Sequence, residues 1–301
     1  MKTENQLFCG VGTALITPFR KGRVDYTALK MLTRRQIEGG VAALVVIGTT
    51  GEAPTLTARE KIEAIAAVAE ENGGRLPLIA GTGSNDTAAS VALTKEAVAA
   101  GADGILAVSP YYNRPTSDGL ILHYQRIAEA AGKPLIVYNV PSRTGCDIPL
   151  SVYEGLREEP LVFGIKEASG SVARSEELLS RFGDRYAVYS GNDDLILPIL
   201  SIGGSGVISV LSNLLPYECT ALCRLFWEGK NEEARALALD LYPLCRALFA
   251  ESNPIPIKSA VSMVSDVSAE VRLPLTEATS VTKANLAACL TALGVLPQKK
   301  A

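Results

Sequence analysis

Short runs of consecutive apolar residues alternate along the chain with longer segments of helical period. The runs fall at residues 13–17, 42–47, 78–81, 104–108, 135–138, 162–166, 187–190 and 206–210. They are apolar on neighbouring rather than alternate positions, which suits strands buried on both faces of a parallel sheet. The intervening segments carry helix punctuation. Thr57 and Glu60 form the Thr-x-x-Glu of a capping box, Ile62, Ile65, Val68 and Ala69 share one face, and Gly73-Gly74 ends the segment. Residues 86–100 repeat the form and stop at Gly101, and residues 117–131 stop at Gly132. Eight β-α alternations suit either a doubly wound sheet or a closed barrel. Eight strands at this spacing favour the α/β (β/α)8 TIM barrel.

The chain after position 210 exceeds the single helix that such a barrel still needs. Residues 1–225 therefore read as the catalytic barrel, and residues 226–301 as a C-terminal helical extension packed on it. Pro254 and Pro256 mark a break before a further helix near 257–264.

Composition narrows the function classes. Hydrophobic residues make up 48% of the 301 positions and charged residues 20%, which permits a large core and argues against disorder. The net charge is −3 with signs interspersed, so no basic face offers itself to nucleic acid. Residues 1–10 lack the apolar core of a signal peptide. The longest apolar stretch, 41–47, falls far short of the roughly 20 residues a membrane helix needs. The expectation is a cytoplasmic protein with neither nucleic acid nor membrane as a partner. The cysteines at 9, 146, 219, 223, 245 and 289 contain no CxxC pair and read as reduced thiols, mostly small core residues. His123 is the single histidine, so no zinc-type cluster is expected; placed mid-helix, it reads as structural or partly exposed. Gly203-Gly204-Ser205-Gly206 reads more simply as a tight turn than as a phosphate loop.

In a barrel the chemistry sits at the C-terminal ends of the strands. The polar residues that follow each run are accordingly the candidates. Lys166 closes the apolar run containing Leu161, Val162, Phe163 and Ile165. Desolvation there disfavours an ammonium, and a neutral amine attacks a ketone to form an imine. The ordinary alternative is a lysine that snorkels to the rim or pairs with Glu167. Tyr138 ends the neighbouring run, where a phenol can act as general acid and base; more commonly such a tyrosine simply packs its ring. Thr49 and Thr50, between Gly48 and Gly51, suit a carboxylate or that phenol, or else plain turn chemistry. Arg143, in the loop 141–145, suits a bidentate clamp on a carboxylate, or else a surface ion pair. Taken singly, each residue favours its ordinary reading. Together, at the ends of consecutive strands, they compose an imine-forming site for a carboxylate substrate.

Three strings then carry a resemblance: Gly48-Thr49-Thr50-Gly51-Glu52, Tyr-Asn-Val-Pro-Ser-Arg-Thr-Gly at 138–145, and Gly-Ile-Lys-Glu-Ala at 164–168. With Gly12-Thr13-Ala14 near the start and Asn253-Pro254-Ile255-Pro256-Ile257-Lys258 near the end, the chain resembles the dihydrodipicolinate synthase family of the N-acetylneuraminate lyase superfamily over nearly its whole length. The resemblance implies that Lys166 forms a Schiff base with pyruvate. It implies a proton relay of Tyr138, Thr49 and Tyr112, the last reaching into a neighbouring subunit's site. Thr50 and the backbone around Gly191 and Ile208 would hold pyruvate, and Arg143 would receive the carboxylate of aspartate 4-semialdehyde. A homotetramer, built as a dimer of dimers, is implied, and no metal or organic cofactor.

The Arg143 loop separates this reading from sialic acid lyases, which share the lysine and tyrosine but lack the Pro-Ser-Arg-Thr-Gly pattern. A related aldolase acting on a 2-keto-3-deoxy acid or on N-acetylneuraminate is the alternative. A non-catalytic pyruvate-binding barrel would not need both a nucleophile and its relay, and a pyridoxal-phosphate enzyme would need a phosphate site beside Lys166. One departure concerns feedback. Asn85 and Tyr111 match the lysine-inhibited pattern, but Ala89 stands where inhibited relatives have glutamate, and Ala53, Ala58 and Lys61 replace polar or histidine positions. The expectation is weak or absent inhibition by lysine.

Overall fold

A computed structural model of the chain describes residues 7–297. Eight parallel strands close into a barrel: β1 Gly10–Ala14, β2 Ala43–Val46, β3 Leu78–Gly81, β4 Gly104–Val108, β5 Leu135–Asn139, β6 Val162–Glu167, β7 Ala187–Ser190 and β8 Gly206–Ser209. Each pairs with its neighbour, and β1 closes the ring against β8, with Gly10 opposite Gly206 and Thr13 opposite Ser209. Helices cover the outside, and the fold is the (β/α)8 barrel with additional C-terminal helices. Beyond the helix Pro216–Trp227 these are Asn231–Ala247, Ile255–Val264 and Ser280–Ala292.

Local rules account for most boundaries. The helix Ala58–Asn72 starts at Thr57 with both halves of the capping box formed and ends at Gly73 in the left-handed conformation, φ 56°. The helix Ser117–Ala131 ends the same way at Gly132. His123, on its buried face, is 3% exposed and shares a 2.9 Å hydrogen bond through Nδ1 with Thr87 Oγ1. Burial lowers its pKa to about 4. All six cysteines are unbridged; Cys219, Cys223 and Cys245 are buried and the others partly so.

The first strand corrects the run expected at 13–17, because it begins three residues earlier. A hydropathy pattern passes over Gly10 and Gly12, yet both are in the strand. A Cβ on Gly12 would lie 2.8 Å from the Phe8 ring, so only glycine allows Phe8 to plug the bottom of the barrel. The apolar Leu15 and Ile16 that drew the run downstream are buried in the loop that leaves the strand. The tight-turn reading of 203–206 is met at Gly203, left-handed at φ 102°, whose N–H donates to Leu200 O at 3.1 Å; Gly206 already begins β8, where at φ 143° its Cβ would meet Gly10 O at 1.9 Å.

Inside the barrel a small apolar cluster of Phe8, Ala14, Val45, Ile136, Tyr138, Tyr189, Ile208 and neighbours fills the lumen. Tyr189 stacks on Phe8 with ring centroids 4.3 Å apart, and its hydroxyl donates to Phe8 O at 2.7 Å. The larger cluster lies between barrel and helices. Layered side chains thus make the lumen a floor rather than a pore, and leave the C-terminal mouth for chemistry.

Candidate active site

Lys166 and Tyr138 stand side by side at that mouth. They are register partners on β6 and β5, and Tyr189 faces Lys166 from β7. The Lys166 ammonium sits 4.2 Å from the centre of the Tyr138 ring. The two side chains are 5% and 6% exposed. Among the described residues no carboxylate forms an ion pair with Lys166. The neighbour proposed as its ordinary partner is engaged elsewhere: Glu167 accepts from Asn139 Nδ2 at 2.9 Å and from Ser169 N at 2.6 Å. With the Tyr138 ring beside it and, among the described residues, no ion-pair partner, Lys166 presents a primary amine to the cavity, a group that can attack a carbonyl carbon.

A cavity of about 580 Å³ opens above it, lined among others by Thr49, Thr50, Tyr138, Arg143, Lys166 and Gly191. Thr49 and Thr50 arrive on a sharp turn flanked by two left-handed residues, Ile47 at φ 50° and Glu52 at φ 54°. A fully buried β-branched residue in that conformation is strained and is held there by its surroundings. Gly191 enters because its N–H donates to Glu167 O at 2.7 Å, and a Cβ there would come within 2.4 Å of the Ala168 Cβ. Arg143 sits on the single helical turn Pro141–Thr144, closed by Gly145, and donates through Nη2 to Asn253 O at 3.0 Å.

Two of the sequence candidates lie apart. Tyr112 is 90% exposed at φ 75° and does not line this cavity within one chain. Ile208 is buried in the lumen cluster, and Val210, two residues on, lines the cavity instead. A second cavity of about 480 Å³ shares Thr49, Tyr138 and Arg143 as walls and is lined further out by Ala53, Ala58, Lys61, Ala89 and Tyr111. The positions singled out for lysine feedback, Asn85 excepted, therefore surround one space.

Sequence reasoning assigned no role to four supporting groups. Asp193 is buried and accepts from Ser209 Oγ at 2.5 Å, Val210 N at 3.0 Å and Leu211 N at 2.9 Å. Burial raises its pKa, against these hydrogen bonds and the nearby Lys166 charge. Glu52 pairs with Lys258, both out of solvent, at 2.5 Å. Burial is the largest influence on Lys258 and lowers its pKa to about 8. Asn253 touches both Thr50 and Arg143. The one legible signal was Lys258, a lone charge among Ile255, Ile257, Ala260 and Val261, since such a residue is buried only with a partner.

The Dihydrodipicolinate synthetase family model matches residues 7–293. The chain belongs to this family. The 4-hydroxy-tetrahydrodipicolinate synthase of Nitratidesulfovibrio vulgaris strain DP4 is 45% identical over 290 residues, covering 96% of this chain and 99% of that protein. That of Kosmotoga olearia is 45% identical over 294 residues, covering 96% and 100%. Among solved structures, dihydrodipicolinate synthase from Thermotoga maritima superposes with a TM-score of 0.94 at 40% identity, covering 97% of this chain and all of that one. The 4-hydroxy-tetrahydrodipicolinate synthase from Methylacidiphilum fumariolicum SolV gives 0.93 at 44% identity, covering 95% and 96%. Membership in the dihydrodipicolinate synthetase family fits the barrel and the buried lysine at its mouth. Among the described residues no helix is long and apolar enough to cross a membrane.

Proposed function

We infer that this chain is a lyase that condenses pyruvate with aspartate 4-semialdehyde through a Schiff base, giving 4-hydroxy-tetrahydrodipicolinate for lysine and diaminopimelate biosynthesis. The observation that carries the reading is Lys166 buried beside Tyr138, in one cavity with Thr50 and Arg143, on a barrel of this family. A sugar-acid aldolase is not favoured: the relatives named above are synthases, and a guanidinium rather than a set of hydroxyl-binding groups stands in the loop after Tyr138.

The chemistry follows from the groups. The Lys166 amine attacks the keto carbon of pyruvate and water leaves, forming the imine. Removal of a methyl proton then gives an enamine, whose carbon attacks the aldehyde. The second substrate's own amine displaces Lys166 and closes the ring. Tyr138 is the group placed to move protons to and from the lysine adduct, with Thr49 and Tyr112 completing the relay. Thr50 and the backbone at Gly191 and Ile208 hold pyruvate, and Arg143 receives the aldehyde's carboxylate. Because Tyr112 points away from its own cavity, its part in the relay belongs to a partner subunit's site. A homotetramer arranged as a dimer of dimers supplies that partner. We further propose a cytoplasmic location, a barrel of residues 1–225 with 226–301 as its extension, and no cofactor.

The test is turnover of pyruvate and aspartate 4-semialdehyde, coupled to reduction of the product, with Lys166→Ala as control. Strong turnover abolished in the variant supports the reading. No turnover by the folded wild-type protein overturns it.

A further inference from the structure

We propose that Asn253, delivered by the C-terminal extension, is a positioning residue that sets the hydrogen-bond direction of Thr50 and thereby the affinity for the first substrate's carboxylate. The proposal rests on the functional reading above. Asn253 lies between the helices Asn231–Ala247 and Ile255–Val264, lines the Lys166 cavity and is 6% exposed. Its Nδ2 donates to Thr50 Oγ1 at 2.9 Å, across 203 residues of sequence. Its backbone carbonyl accepts from Arg143 Nη2 at 3.0 Å. One residue of the extension thus touches both carboxylate-binding groups, with its side chain on one and its main chain on the other.

The direction of the first bond matters. A hydroxyl has one hydrogen, and a carboxylate can only accept. Thr50 is 3% exposed, and among the described residues its hydroxyl donates to no protein acceptor. An amide nitrogen can only donate, so it occupies a lone pair on Thr50 Oγ1 and leaves the hydrogen for the cavity. Asn253 Oδ1 is itself buried without a partner. Nothing on the acceptor side competes for the Thr50 proton, and a buried acceptor left unmade is a cost that a purely structural asparagine would avoid.

The test is a double-mutant cycle on Asn253→Ala and Thr50→Val. Pyruvate affinity is read as KM and as the concentration needed for borohydride trapping of pyruvate on Lys166. Asn253→Ala should raise the pyruvate KM about tenfold, the value of one hydrogen bond to a charged group, and leave kcat within about threefold. Its aldehyde KM should stay near wild type, because the carbonyl that holds Arg143 remains. The double variant should bind pyruvate no worse than Thr50→Val alone. An unchanged pyruvate KM in Asn253→Ala, or effects that multiply in the double variant, would overturn the proposal. If the alanine variant fails to fold, the isosteric Asn253→Asp replaces it. Its carboxylate would consume the Thr50 proton and should raise the pyruvate KM by more than tenfold; a wild-type KM would overturn the proposal. Failure of the unmutated protein to trap pyruvate would overturn both this proposal and the reading it rests on. Trapping by wild type with a wild-type KM in the variant would overturn this proposal alone.

Discussion

Lys258 Nζ lies 2.5 Å from Glu52 Oε1, with neither side chain accessible to solvent. The pair fastens the C-terminal extension to the turn that presents Thr49 and Thr50. Glu52 also accepts from Arg272 N at 3.0 Å, and Lys258 donates to Glu270 O at 2.7 Å and lies over the Phe19 ring. The C-terminal part of the chain thus braces the turn that lines the Lys166 cavity and lines that cavity itself at residues 249–253.

Breaking this pair should be severe. Lys258→Met leaves Glu52 as a buried uncompensated charge, a change that costs about 3–5 kcal/mol. The expected outcome is a much lower denaturation midpoint with the loss concentrated in this variant. Glu52→Gln combined with Lys258→Met should recover part of it. Equal stability of Lys258→Met and wild type in urea titrations would show that the pair is not buried as described.

The two sides of the site should separate kinetically. Tyr138→Phe keeps the ring against Lys166 but removes the hydroxyl proposed to transfer protons, so kcat should fall by about 10²–10⁴ without loss of folding. Arg143→Ala should raise the aldehyde KM by roughly 10–100-fold, as for loss of hydrogen bonds to a charged group, with a smaller change for pyruvate. Steady-state kinetics with each substrate varied in turn checks both; an Arg143→Ala effect confined to pyruvate would contradict the assignment.

Acid should destabilise the fold in two windows. His123 is held neutral by burial, with its pKa at about 4 against an ordinary 6.5. Between those values the unfolded chain binds the proton and the folded one does not, so stability falls as pH falls from 6.5 to 4. Glu60 runs the other way in cause. Its bidentate contact with Arg272 lowers its pKa from 4.5 to about 2, so the stabilisation it gives is complete above pH 4.5 and is lost as pH falls through 2. Denaturation across pH should show His123→Gln removing the upper slope. The penalty of Glu60→Gln should be full above pH 4.5 and vanish near 2. A pH-independent penalty would count against the Arg272 contact.

Lysine should inhibit weakly or not at all. The cavity bounded by Ala53, Ala58, Lys61, Ala89 and Tyr111 has alanine at position 89, and its lining sets the half-buried Lys61 ammonium, whose pKa burial lowers, against a single carboxylate, Glu96. Placing a second cation there is opposed by charge. A lysine titration of initial rates tests this, and strong inhibition in the sub-millimolar range would refute it.

The sequence by itself determined whatever depends on periodicity and on strand ends. Consecutive apolar runs separated by capped helices call for a parallel sheet, and eight of them favour its closure into a barrel. The C-terminal ends of such strands lie at the barrel mouth, and Lys166 and Tyr138 are legible there, at the ends of neighbouring apolar runs. Residue spacing could not show what side chains far apart in the chain do to each other. Asn253 and Lys258 meet Thr50 and Glu52 across 203 and 206 residues, contacts created only when the extension folds back over the barrel mouth. Tertiary structure also decided β1, because glycines carry no hydropathy signal yet are required where Phe8 and Gly206 approach most closely. It placed Val210 rather than the Ile208 side chain at the cavity, because Ile208 packs inside the lumen while Val210 follows the end of the strand, nearer the mouth. Tyr112, 90% exposed at φ 75°, marks the remaining boundary: the proposed part of this side chain in the relay depends on a second subunit, which no single chain's pattern encodes.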